Sequence, residues 1–240
     1  MINTIKTKIR NSFLWDIPVC RKMLHFMASA VNRRSHKREL KSYHSFGYQT
    51  LFEAMDALPL AGLTVYPAFG TLLGLVRDGK LIHHDCDLDF AVLQTETFSW
   101  EKLRAVLTAA GFQYRCQYEI SGAIKEMCFS SPYSQDLGVD FFLFEEIGGD
   151  RQSSYFFSYD EDKKYDSPNR RSIYSYHFPA IRSSDMIAIE NRPVQVPSNA
   201  EQLLEVWYTE TWKIPDKHFD PRKNKNVIKI GDLLAEMVES

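Results

Sequence analysis

The sequence predicts an α+β domain, a mixed β-sheet flanked by helices, with basic helices ahead of it at the N-terminus. Three observations lead there. Helical apolar spacing dominates up to residue 57, short alternating or wholly apolar runs bounded by turn residues dominate after it, and further helical segments are interleaved with those runs. At 240 residues, 44% apolar and 25% charged, the chain has the composition of a folded, soluble protein with one substantial domain or a domain and an appendage. Its 16 Phe, 12 Tyr and 4 Trp can fill a sizeable core. We divide it into a basic helical arm, residues 1–44, and a catalytic domain, residues 45–240.

Residues 3–15 and 19–32 read as helices broken near Pro18, the second with Leu24, Met27, Ala28 and Val31 at helical spacing. A third helix is expected over 37–57, ending before Pro59, with Tyr48, Leu51, Phe52 and Met55 facing the core. Residues 63–68 form a short β run, 70–76 a short helix opened by a Gly-Thr turn, and Gly79 a tight turn. Residues 87–93 alternate as a strand does. Residues 100–110 are an amphipathic helix stopped at Gly111, and 112–120 with 123–130 form a hairpin around Ser121-Gly122. The run 139–144 is apolar on both faces, which predicts a central strand. Residues 148–170 are polar, acidic at 160–162, and read as a surface loop or ribbon. A second hairpin joins 186–189 to 194–196, turned at Asn191-Arg192. Residues 200–207 are a helix capped by Ser198 or Asn199, and 221–240 read as a basic, then weakly helical, tail.

Charge is unevenly distributed. Residues 1–41 carry a net charge of +8 and the remainder −10. Such an arm suits an anionic neighbour, a membrane surface or a polyanionic substrate, or is simply a solvated helical hairpin. The four cysteines show neither a CxxC pair nor zinc-ligand spacing, which fits free thiols in a reducing compartment. No apolar stretch approaches the roughly 18 residues that span a bilayer, and no signal-peptide pattern opens the chain. The expected location is the cytoplasm, with peripheral membrane contact through the arm.

Residues 69–93 carry the chemistry. On a strand, Asp85, Asp87 and Asp89 project to one face, and Leu88, Phe90 and Val92 to the other. Carboxylates at this spacing repel one another unless a cation joins them, and hard oxygen ligands suit Mg²⁺ or Mn²⁺ with a substrate phosphate. The competing reading is an edge strand with acidic gatekeepers. Gly70-Thr71 lies between a strand and a helix, where backbone N–H groups receive phosphate, and Arg77 one turn on pairs with phosphate oxygens. Asp140 enters an apolar strand, which marks it as a further metal ligand or a general base, against a plain cap at the strand mouth. Strand alternation keeps His83, His84 and Cys86 from converging on a zinc ion, and turns Cys86 away from the acids. His177 and Arg170-Arg171 are open to a nucleotide, an acceptor phosphate or a surface role.

The run from Gly70 through Thr71, Gly74 and Arg77, followed by Asp85, Asp87 and Asp89, resembles the LicD family of phosphotransferases, which includes phosphorylcholine transferases and the fukutin and fukutin-related ribitol-phosphate transferases. The similarity extends over residues 45–218: Asp140 precedes an aromatic strand, and Phe178-Pro179, Val196-Pro197-Ser198 and the stretch from Leu204 to Pro215 follow the family's pattern more loosely. Cys86 stands where an acid is frequent, and Tyr208-Thr209 where Tyr-Gly is usual. The resemblance implies a nucleotidyltransferase-like fold and an enzyme that moves phosphocholine, ribitol phosphate or glycerol phosphate from a CDP-activated alcohol to a glycan or lipid-linked glycan hydroxyl. CMP is released, as in surface polysaccharide or glycoconjugate synthesis, and no nucleic acid takes part. It implies Asp85, Asp87, Asp89 and Asp140 as metal ligands, Asp87, Asp89 and Asp140 as catalytic residues, and Gly70, Thr71 and Arg77 as the phosphate cradle. Alcohol selectivity is expected in 148–182. Two rivals remain: a nucleotidyltransferase that releases pyrophosphate, and a non-catalytic glycan-binding scaffold.

Overall fold

The computed structural model describes residues 18–159, 165, 167 and 169–239, and for residues 18–32 the backbone alone. The expected helix over 3–15 and the acidic run at 160–162 lie outside the described residues. The first described element is one helix, α1 (Pro18–Leu60), where two were expected over 19–32 and 37–57. The reason is local: no Gly or Pro lies between residues 19 and 46, and the Ser35 hydroxyl donates to Glu39 Oε1 (2.8 Å) across the expected gap. The boundary drawn between residues 44 and 45 falls within this helix. Its C-terminal half buries Leu51, Ala54 and Leu58 completely, while Tyr48, Phe52 and Met55 are half-buried at the edges of that stripe. Thr50 and Ser131 share a hydroxyl bond of 2.6 Å that ties the helix to the sheet.

There follow β1 (Val65–Pro67), α2 (Phe69–Asp78), β2 (Asp87–Leu93), α3 (Trp100–Ala109), β3 (Gln113–Ile120), β4 (Ala123–Ser131), β5 (Ser134–Gly148), β6 (Arg151–Ser158), β7 (Arg170–Pro179), β8 (Ser184–Ile189), β9 (Arg192–Pro197), α4 (Ala200–Tyr208) and β10 (Val227–Glu239). The main sheet has the order β1-β2-β5-β4-β3-β10-β7-β6. Only β2 and β5 run parallel among its pairs; the rest are antiparallel. Because β6 also pairs with the far end of β5, the strands β5-β4-β3-β10-β7-β6 close into a ring, with β2 and β1 continuing outward from β5. The observed architecture is thus the expected mixed sheet flanked by helices.

One side of the sheet is a continuous apolar layer. Phe90 and Phe141 stack at 5.1 Å, and Phe129 meets Phe141 edge-on at 5.7 Å. On the other side Phe69, at the start of α2, packs on Phe142 (5.0 Å) and on Trp207 of α4 (4.7 Å).

Residues 151–158 follow the ribbon reading of 148–170, as a strand paired along its whole length with β7. Three further expectations need correction. The tail is β10, not a helix: Ala235 and Met237 are buried while Glu236 and Val238 are exposed, a period of two. Leu233 to Met237 are good helix formers, but pairing with both β3 and β7 supplies a ladder on two sides and overrides propensity. The β8–β9 turn lies one residue earlier than expected, at Glu190-Asn191, both at positive φ as a tight hairpin requires. Asn199 flanks α4, but its amide donates to the carbonyls of Pro179 and Ala180 instead of capping the helix.

Candidate active site

The parallel pairing of β2 and β5 assembles the acids. Asp89 is the register partner of Asp140, and Asp87 of Gly138, so three carboxylates from two strands share one face at one end of the sheet. Leu88 and Phe90 point the other way and are fully buried, which fixes the orientation of the strand. Asp85 precedes β2. A turn closed by its own N–H on the Ile82 carbonyl (3.1 Å) brings it back to within 4.8 Å of Asp87.

Cys86 stands in the same group, its thiol within 4.8 Å of carboxylate oxygens of Asp85 and Asp87. This corrects the expectation that Cys86 faces away. Residues 85 and 86 lie in a turn, where strand alternation does not hold. His83 is engaged by α1: it stacks on His44 at 4.5 Å, and its carbonyl is 2.7 Å from His44 Nε2.

Helix α2 abuts these acids with its N-terminus. A methyl group added at Gly70 would lie 2.6 Å from Asp85 Oδ2 and 3.6 Å from Asp89 Oδ2, so glycine is required for this approach. Asp89 is pinned from both directions: its N–H donates to Thr71 Oγ1 (2.9 Å), and its carbonyl accepts from the Ala68 N–H (2.9 Å). Thr71 is buried, so its hydroxyl positions Asp89 and does not face a ligand. No side chain caps the helix, and Phe69 sits at φ 39°, a strained entry to it. Arg77 is engaged elsewhere: its guanidinium forms a bidentate pair with Asp78 (2.7 and 3.0 Å).

Electrostatically the cluster is unstable on its own. Burial, then the Asp85 charge, pushes Asp87 up to about 7; burial, then the Asp87 charge, pushes Asp140 up to about 6. Asp89 is raised well above the usual carboxylate range and Asp85 is raised, burial being the first cause of both. Behind Asp140, the buried Glu126 accepts from the Cys128 thiol at 3.2 Å, and burial, then the Asp140 charge, raises it well above the usual carboxylate range. A further residue comes from α1. The Tyr43 hydroxyl is buried, has no hydrogen-bond partner among the described residues, and is pushed up by burial and then by Asp85, Asp87 and Asp89. Sequence patterning gave no sign of it, because Tyr43 is separated from the acids by more than forty positions and belongs to a helix read as a separate arm.

Together these features fit a divalent cation: hard oxygen donors only partly compensated, a glycine cradle that any side chain would fill, and an orphaned phenol beside them. A cleft of about 400 Å³ opens beside the cluster. Gly70, Arg77, His84 and Asp85 line one side, and Tyr208, Trp212, Lys217 and Phe219 the other. The wall opposite the acids is therefore the segment after α4, and no residue of 148–182, where selectivity was expected, lines it. Nor do His177, Arg170 or Arg171: Arg170 lies 3.9 Å from Glu236, and Arg171 is buried with its guanidinium over Tyr159 at 3.9 Å. No helix among the described residues is long and apolar enough to cross a membrane.

Comparison with known proteins follows the same geometry. No curated protein gives a significant match. Among solved structures, the lincosamide antibiotic adenylyltransferase LnuA, in a lincomycin-bound crystal structure, matches with 16% identity and a TM-score of 0.39, over 65% of this chain and 83% of that one. The family described as LicD/FKTN/FKRP, nucleotidyltransferase domain, matches residues 62–199, a span that holds α2, β2 and all four aspartates. The chain belongs to the LicD family.

Proposed function

We propose that the protein transfers a phospho-alcohol group from a CDP-activated alcohol to a hydroxyl of a glycan or lipid-linked glycan, releasing CMP. The observation that carries this reading is the placement of Asp87, Asp89 and Asp140 on one face of two parallel strands, against a helix N-terminus held open by Gly70. Asp85, Asp87, Asp89 and Asp140 would hold Mg²⁺ or Mn²⁺, and that cation would supply charge neutralisation for the diphosphate. The exposed N–H groups at the start of α2 receive phosphate oxygens, Gly70 gives them room, and Thr71 keeps Asp89 in place. Asp140 would serve either as a ligand of that cation or, left unligated, as the base that accepts the acceptor hydroxyl's proton. Tyr208, Trp212 and Phe219 offer aromatic faces to the base or the alcohol, and Lys217 a charge.

The test is product analysis. Incubation with Mg²⁺ and CDP-choline, CDP-ribitol or CDP-glycerol, with a glycan acceptor, is expected to release CMP for one donor. Release of pyrophosphate from a nucleoside triphosphate, without CMP release from any donor, would select a nucleotidyltransferase. Absence of both, together with no cation-dependent stabilisation by any CDP compound, would leave a scaffold. The basic arm, in this reading, rests on an anionic membrane. Removal of residues 1–35 should then lower binding to anionic liposomes and its salt sensitivity, and unchanged binding would remove that part.

A further inference from the structure

Arg115 occupies an irregular position for a stated geometric reason. In the β3–β4 ladder Tyr114 pairs with Phe129 and Cys116 with Cys128, so Arg115 is the extra residue of a bulge with no partner across the ladder. A bulge re-aims the side chain it carries. Here the guanidinium is carried toward Gly138, the register partner of Asp87: a methyl group added at Gly138 would stand 3.3 Å from Arg115 Nη1 and 3.6 Å from Asp87 Cβ. The charge also acts on Asp140, opposing the effect of burial there. Yet Arg115 makes no hydrogen bond or ion pair among the described residues, and it is exposed. The neighbouring arginines are placed differently. Arg77 is clamped by Asp78, Arg104 lies over the Tyr114 ring at 3.8 Å, and Arg171 is buried.

A guanidinium held at the edge of a carboxylate cluster, but touching none of its members, is positioned for an anion that arrives with the ligand. We propose that the Arg115 guanidinium, exposed at the edge of the carboxylate cluster, forms the binding position for a phosphate of the substrate, the oxygens of a diphosphate or phosphodiester. A cation on Asp87 and Asp140 would then face the phosphate from one side and the guanidinium from the other. Gly138 has a role in this arrangement, since a methyl group there would press on Arg115 Nη1 at 3.3 Å and displace the guanidinium. The assignment rests on the reading that the carboxylates hold a divalent cation beside a phosphorylated donor.

Calorimetric titration of the full chain with inorganic pyrophosphate, with and without Mn²⁺, and with Mn²⁺ alone, tests it. Arg115→Gln is expected to weaken pyrophosphate binding by about tenfold to a hundredfold, the usual value of a charge-assisted bond, with Arg115→Lys recovering part of the loss. The Mn²⁺ affinity of Arg115→Gln should stay within about twofold of the unaltered protein, because the change removes no bond to the cation. Circular dichroism checks that the exposed substitution leaves the fold intact. Unaltered pyrophosphate affinity in Arg115→Gln, or no pyrophosphate binding by the starting protein, overturns the proposal. Loss of the Mn²⁺ isotherm in the starting protein instead contradicts the reading of the carboxylates, while the arginine effect is still read on pyrophosphate alone.

Discussion

The two faces of the β2–β5 pair share one backbone ladder and do opposite things to it. On one face Leu88, Phe90 and Val92 meet Val139, Phe141 and Leu143 in register, almost wholly removed from water. On the other, Asp87, Asp89 and Asp140 crowd together, and burial and mutual repulsion push Asp87 to about 7. The apolar face holds the strands in place; the acidic face, with its charges uncompensated, works against folding. A one-residue slip would exchange the two sets, so the packed face also fixes the register on which the acids depend.

Phe141→Ala should cause the largest effect on the packed face. Truncating a fully buried aromatic in a tight core costs about 3–5 kcal/mol, read by urea denaturation, and the acids lose their scaffold with it. Asp89→Asn separates the faces in the opposite sense. Transfer should fall by about a hundredfold to a thousandfold or more, while the cation-free protein at pH 8 becomes as stable as the starting protein or more so, since one repelling charge is gone. Equal loss of fold and activity in that variant would blur the division between the faces.

The pH dependence carries its own sign. Asp87 and Asp140 titrate at about 7 and about 6 in the fold, above the usual carboxylate value of about 3.8 in the unfolded chain. The native state therefore binds more protons across that window, and the cation-free protein loses stability as pH rises from 4 through 7. Mg²⁺ or Mn²⁺ should raise Tm at pH 8 and do little at pH 5; a cation-free protein that gains stability over the same range contradicts the account. Gly70→Ala is expected to give the smallest change: its methyl group meets Asp85 Oδ2, a movable carboxylate end, and metal affinity should fall by about tenfold with little effect on folding.

What the sequence made legible was local. Alternation from Asp87 to Leu93 separated acids from core, and Asp140 was noticeable as one carboxylate in an apolar run. The ring was not legible, because β6 and β7 bury serines and an arginine, and β10 is built from helix formers that pair with strands far away in the chain. Cys86 was misplaced because a turn replaced the strand that alternation assumes. Tyr43 and Arg115 stayed hidden for different reasons: one reaches the acids from a helix more than forty residues away, the other is re-aimed by a bulge that no periodicity encodes.

The central claim is that the acidic face is a divalent-cation site. Mn²⁺ titration at pH 8, followed by electron paramagnetic resonance on the full chain and on Asp87→Asn and Asp89→Asn, addresses it directly. The account expects saturable binding by the unaltered protein that each substitution weakens by about a hundredfold or more while circular dichroism stays unchanged. Unchanged Mn²⁺ affinity in both folded variants would contradict it.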